Sequence, residues 1–178
     1  MNYKKDCNKG NYKLTAPEKY LSARPPAYKS SWELHTFVVF ERNPNILKWG
    51  YESVPIYYYH PFYQKMTVYY PDLWCHLKGA NGNEYKMLIE IKPKKFRSPP
   101  TKPKEPVRPT KQTPDAISKY TKAFVKYQKS LKGYEYKMKD FAVNAQKWQA
   151  AQAYCVKNNI IWKILDEENA QNFFSEPI

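Results

Sequence analysis

Two stretches, VYYPDLW (Val68–Trp74) and MLIEIKPKK (Met87–Lys95), decide how this chain folds. Both read as strands. Between them GANGN (Gly79–Asn83) carries Asn81-Gly82, a strong hairpin signal. Side chains on a strand alternate between faces, so Met87, Ile89 and Ile91 share one face while Glu90 and Lys92 share the other. If all five residues Gly79–Asn83 form the loop, Asp72 falls opposite Glu90; a two-residue Asn81-Gly82 turn puts it opposite Ile91 instead. In either register the two carboxylates lie within about one residue of each other across the ladder, and a bulge near Pro71 can correct the difference.

Working outward, Ser30 to Arg42 predicts a helix stopped by Asn43-Pro44. Lys48 to Tyr59 predicts one or two strands, with Pro55 at an edge or bend. The strand-like runs of the hairpin extend over Met66–Lys78 and Glu84–Lys92. Thr113-Pro114-Asp115 then opens a helix, with Thr as cap, Pro at the first position and Asp in the first turn. Ile117, Tyr120, Phe124, Tyr127 and Leu131 share one face of it, and Gly133 is its expected stop. A second amphipathic helix is expected over Asp140–Asn158, a buried strand over Ile160–Leu165, and a short helix from Asp166 to about Phe174. This order, a helix, a meander of strands, then helix, strand and helix, predicts an α/β domain with a mixed β-sheet flanked by helices.

The composition sets bounds on function. The 178 residues carry 30 Lys and Arg against 16 Asp and Glu, a formal charge of +14. Apolar residues at 42% and aromatics at 17% are enough for a core, which excludes wholesale disorder. No apolar run is long enough for a bilayer, and the mean hydropathy is −0.83, so no membrane association is expected. The first residues have no apolar segment of the secretory kind, and Cys7, Cys75 and Cys155 form neither a disulfide framework nor a zinc pair. The expectation is a soluble intracellular domain whose charge calls for a polyanion, most simply nucleic acid. No Walker loop or GxGxxG stretch points to nucleotide use. His35, His60 and His76 have no metal-site spacing, and adjacent Cys75 and His76 would point to opposite faces, against thiol catalysis.

Asp72, Glu90 and Lys92 converging on one sheet edge suit metal-assisted phosphodiester cleavage. Mg2+ prefers oxygen ligands, commonly one or two carboxylates with phosphate and water, and Mn2+ can replace it. A lysine beside it can orient the attacking water or stabilise charge growing on the phosphate. The plainer alternative is an Asp at a strand bend and a surface Glu–Lys pair. Glu33 also has two readings. Ser30-Ser31-Trp32-Glu33 matches the capping box, and Glu33 could equally be a third acid delivered to the metal by the helix. Glu52, in WGYESVPIYY, is the rival for that place. Gln146, Lys147 and Gln152 are further candidates on the later helix.

The succession SSWE, WGYESVPI, YYPDLW, IEIKPKK resembles the PD-(D/E)xK nucleases, the restriction-endonuclease-like fold, and within them the transposon-end endonuclease branch. More closely, SSWE, NPNILKWGYES, PDLW, IEIKPKK and VNAQKWQAAQAYCVKNNIIWKIL resemble the head completion nucleases of T-even-type bacteriophages. The likeness runs from about Ser30 to about Leu165 and is weakest in the N-terminal arm and from about Lys102 to Lys137. Residues 1–29, polar, basic and broken by Pro17, Pro25 and Pro26, read as a basic arm or loose layer before a domain over 30–178 that has a helical insertion at about 113–138. The likeness implies Asp72 and Glu90 as metal ligands, Lys92 as the catalytic lysine and Glu33 as the helix-borne acid. It also implies a nuclease acting on packaged DNA before heads join tails, with phage head, portal or neck proteins as partners. The setting would be the host cytoplasm during assembly, with the protein retained in the virion as a further expectation.

DNA contacts are expected from two places. Lys92–Lys111 holds six prolines and eight basic residues against one acid, which predicts an extended basic loop over 93–112. Its candidates are Lys94, Lys95, Arg97, Lys102, Lys104 and Arg108. On the following helix Lys119, Lys122, Lys126 and Lys129 form a stripe, which is otherwise an ordinary solvated face. Lysines bind phosphates and read no sequence, so little base specificity is expected. The many tyrosines could stack on unpaired bases, although core packing is the plainer account. The rival functions are a non-catalytic DNA-binding plug or adaptor of the phage head and, more remotely, an RNA-binding protein.

Overall fold

The computed structural model describes residues 9–170. Residues 1–8 of the expected arm, with Cys7, and the end of the expected last helix lie outside them; Asn169 and Ala170 are helical. The chain divides into two compact units, one formed by residues up to Lys94 and from Gln146 onward, the other by Lys95–Ala145.

In the first unit β1 (Gly10–Asn11) pairs with β2 (Ala27–Tyr28), and α1 spans Ser31–Arg42. Then come β3 (Ile46–Tyr51), β4 (Ile56–His60), β5 (Lys65–Tyr69), β6 (Leu73–Lys78) and β7 (Glu84–Ile91). The long helix α2 (Pro114–Lys157) leads to β8 (Ile161–Leu165). The main sheet has the order β3-β6-β7-β8; β3, β6 and β7 are antiparallel neighbours and β8 is parallel to β7. It is the mixed sheet expected from the sequence. β4 and β5 form a separate hairpin. The run Met66–Lys78 therefore divides at Tyr70-Pro71-Asp72, where proline supplies no ladder donor.

The β6–β7 register uses all five loop residues: Leu73 pairs with Ile89 and Trp74 with Leu88. Alternation then sorts the sheet's faces. Leu73, Cys75, Leu77, Met87 and Ile89 join Phe37, Phe40, Trp49 and Tyr51 in the main core under α1. Leu88 and Glu90 belong to the opposite face and are also buried, as are Ala151 and Cys155 of α2. Phe37, Phe40 and Trp49 are wholly buried, with the Phe37 and Trp49 rings 5.3 Å apart.

Two expectations are corrected. Composition predicts a loose layer over 1–29, but residues 9–29 are docked. Buried Glu41 of α1 accepts from the Tyr12 hydroxyl (2.7 Å) and from the Thr15 and Ala16 N–H groups (3.1 Å each). Lys19 Nζ donates to the Glu41 and Asn43 carbonyls at the C-terminus of α1 (3.0 and 2.9 Å). Apolar Tyr12, Leu14, Tyr20 and Tyr28, scattered among lysines in the sequence, pack on the core. The second correction is Gly133, which does not end a helix. One helix runs through it to Lys157, because the residues after it, YEYKMKD, continue the helical pattern and no αL cap forms.

Candidate active site

The site is built where β5, the start of β6, the end of β7 and the C-terminal part of α2 meet within the first unit. Asp72 stands just before β6, where Pro71 has broken the strand, and its Oδ2 accepts the Ile91 N–H (2.7 Å). Its carbonyl accepts the Glu52 N–H (3.0 Å), so β3 and β6 both fix it. Glu90 is buried on β7, and Lys92 follows on the same face with Nζ 3.7 Å from Glu90 Oε1. The Lys92 N–H donates to the Leu165 carbonyl (2.8 Å), so β8 fixes its backbone.

Burial raises the pKa of Asp72 well above the usual carboxylate range, and the neighbouring charge of Glu90 pushes it further; the Ile91 N–H opposes this. Glu33 adds to the same repulsion and Lys92 relieves part of it. Glu90 is likewise pushed up by burial, against the pull of Lys92, the Tyr69 hydroxyl and Lys147. Tyr69 donates to Glu90 Oε2 at 2.8 Å. Lys147 lies over the rings of Tyr69 (5.4 Å) and Tyr58 (5.8 Å). The buried Trp148 indole N–H has no partner in hydrogen-bonding geometry, yet its dipole also favours the charged form of Glu90.

Asp72, Glu90 and Lys92 are thus brought together. Glu33 is engaged in the cap: its N–H donates to Ser30 Oγ (3.2 Å), and its carboxylate accepts the Lys29 N–H (2.7 Å) and the Ser30 hydroxyl (3.1 Å). Among the described residues no three His, Cys, Asp or Glu side chains are grouped closely enough to hold a metal. Glu52 is also committed, to Arg24 (2.7 Å), Lys29 (2.9 Å) and the Tyr51 hydroxyl (2.9 Å). Burial would raise its pKa, but these donors outweigh burial and hold it low. Of the helix candidates, Lys147 faces the site, whereas Gln146 and Gln152 are exposed. Tyr69 and Trp148 are the residues sequence reasoning missed. Nothing marked Tyr69 among 17 tyrosines, and Trp148 read as core.

The candidate DNA contacts separate by unit. In the first, Lys94 is paired with Glu168 (2.5 Å) and its N–H donates to Glu167 (2.9 Å). In the second, Lys95 lies 4.9 Å from the Phe96 ring centre and Lys119 pairs with Asp115 at 3.2 Å. Arg97, Lys102, Lys104, Arg108, Lys122 and Lys126 are all exposed there.

A curated relative, the head completion nuclease of Enterobacteria phage T4, is 32% identical over 141 residues, 79% of this chain and 78% of the relative. The chain belongs to the phage head completion nuclease family. A sequence model described as TnsA-like endonuclease N terminal matches residues 102–167. That match spans the basic segment, α2 and β8, and begins inside the stretch whose likeness looked weakest; it lies after Asp72, Glu90 and Lys92 in the chain. The mixed sheet is accordingly of the PD-(D/E)xK nuclease fold. No solved structure matches.

Proposed function

We propose that this nuclease-family chain is a Mg2+-dependent DNA endonuclease that acts on packaged DNA during phage head completion, before heads and tails join. The observation that carries the chemistry is the convergence of Asp72, Glu90 and Lys92 at one end of the β6–β7 ladder. Two buried carboxylates that repel each other and resist ionisation are a donor set that a divalent cation would relieve. Asp72 and Glu90 would hold it, and Mn2+ would serve as a substitute. When bound, the ion lowers the pKa of water and offsets negative charge on the phosphate.

The chain's own residues do the positioning. The Ile91 N–H fixes one oxygen of Asp72 and Tyr69 fixes one of Glu90, while the other Glu90 oxygen faces Lys92 at 3.7 Å, a long contact that a cation would displace. Lys92 keeps a positive charge beside Glu90, placed to draw in a phosphate and to orient the attacking water. Lys147 adds a second positive charge on the same face. Glu33 remains the cap of α1 and contributes its negative charge to the field at Asp72; a ligand role would require that cap to open. The location (host cytoplasm during assembly, then the virion) and docking on head, portal or neck proteins follow from the same reading.

Supercoiled plasmid with Mg2+ tests it. The wild-type chain should nick the plasmid, and Asp72→Asn and Lys92→Ala should each lose about 100-fold or more. Nicking by both variants at the wild-type rate overturns the site. No nicking by any of them, alongside tight DNA binding, leaves the non-catalytic plug.

A further inference from the structure

The second unit, Lys95–Ala145, carries thirteen basic and four acidic residues, a net +9 of the chain's +14 in under a third of its length. All thirteen basic side chains are exposed. From Pro99 to Pro109 no helix or strand forms, and the partly buried residues are Pro100, Pro103, Pro106 and Pro109. A period of three is that of a polyproline II helix, so the prolines line one face. On α2 the partly buried residues include Tyr120, Phe124, Tyr127, Leu131 and Tyr134, a single helical stripe. The Tyr120 and Phe124 rings stack at 5.8 Å, and Phe124 meets Tyr127 at 6.0 Å. The two segments therefore turn their ring-bearing faces inward within one compact unit and their lysines outward. The outer face of the helix carries Lys119, Lys122, Lys126 and Lys129 at spacings of three and four, with Lys137 five turns after Lys119.

We propose that this proline-braced helix is a rigid arm that grips the phosphate backbone of duplex DNA. Its charge fits a polyanion, and its geometry fits a stiff one. Lys119 to Lys137 spans about 27 Å at 1.5 Å per residue, and Lys102 to Lys111 about 28 Å at 3.1 Å per residue. Two rigid rows of equal length match roughly 8 base pairs of duplex. A flexible basic tail would impose no such length. The arm reads no sequence, because its contacts are phosphate contacts.

The proposal rests on DNA being the substrate but not on cleavage, so binding is measured without metal on the full chain carrying Asp72→Asn. Salt dependence is compared for this chain, for the same chain with Lys119, Lys122, Lys126 and Lys129 changed to Gln, and for a control with exposed Lys13, Lys78, Lys86 and Lys157 changed to Gln. Each lost phosphate contact should flatten the log–log salt slope by about 0.9 for duplex, so the arm variant should lose about 3 to 4 in slope and the control much less. The parent chain should also prefer a duplex of about 20 base pairs over one of about 6 by far more than site counting predicts, and the arm variant should lose that preference. Equal slope changes in arm and control variants would reduce the effect to net charge and overturn the arm. So would tighter binding to single strands or to an acidic polypeptide than to duplex.

Discussion

Glu41 and Glu90 are two buried glutamates with opposite electrostatics. Burial raises both, but around Glu41 the Thr15 and Tyr12 hydroxyls and the Thr15 and Ala16 N–H groups outweigh burial and hold its pKa low. A lowered folded value means stability that is present above the unfolded pKa, about 4.3, and is lost as pH falls through the folded value. Glu41→Gln should therefore destabilise the protein by about 1–3 kcal/mol at pH 7, and thermal melts should show the gap to wild type closing under acid conditions. A gap of constant size down to pH 2 would mean that charge is not what Glu41 contributes. Around Glu90 the balance falls the other way, and that excess is what suits it to a cation. The distinction was not legible in the sequence, where Glu41 is an ordinary polar residue at the end of a helix. Its partners, Tyr12, Thr15 and Ala16, are more than twenty positions away. Asp72, Glu90 and Lys92 were legible because a strand's alternation and a five-residue loop fix their relation locally.

Among the elements, the hairpin β6–β7 was readable to within one residue of its register, and the structure selects the five-residue loop of the two alternatives. The helix α2 was not. Its sequence carries a stop signal at Gly133, yet the backbone there has an ordinary negative φ and the helix continues. A methyl group at Gly133 would meet nothing within 4 Å. Gly133→Ala should then stabilise the protein by about 0.5–1 kcal/mol, since alanine loses less backbone entropy in a helix. Chemical denaturation would detect the shift, and a destabilised variant would mean the helix breaks there after all. The same substitution has value for the arm, because a rigid duplex-binding element gains from a stiffer helix. The β4–β5 hairpin escaped sequence reading for another reason. Its tyrosines and Val68 look like core strand residues, but Tyr57, Tyr59, Met66 and Val68 are exposed and only alternate residues face inward.

For the whole molecule, charge and burial are distributed in opposite senses. The first unit holds every fully buried residue among those described, from Phe37 and Trp49 to Leu88 and Cys155. The second holds most of the net positive charge and no fully buried residue between Lys95 and Ala145. Apolar burial is the main source of folding free energy, so resistance to local opening should follow it. Along α2 the two regimes meet in one continuous helix, exposed on most faces before Ala145 and anchored by Ala151 and Cys155 after it. Native-state hydrogen exchange should show amides of residues 118–140 exchanging about 100-fold or more faster than those of β6 and β7, with protection rising along α2 toward Cys155. Duplex DNA should slow the fast set, because a ligand suppresses the openings that release it. Uniform protection along α2 without DNA would show that the helix opens as one unit with the sheet.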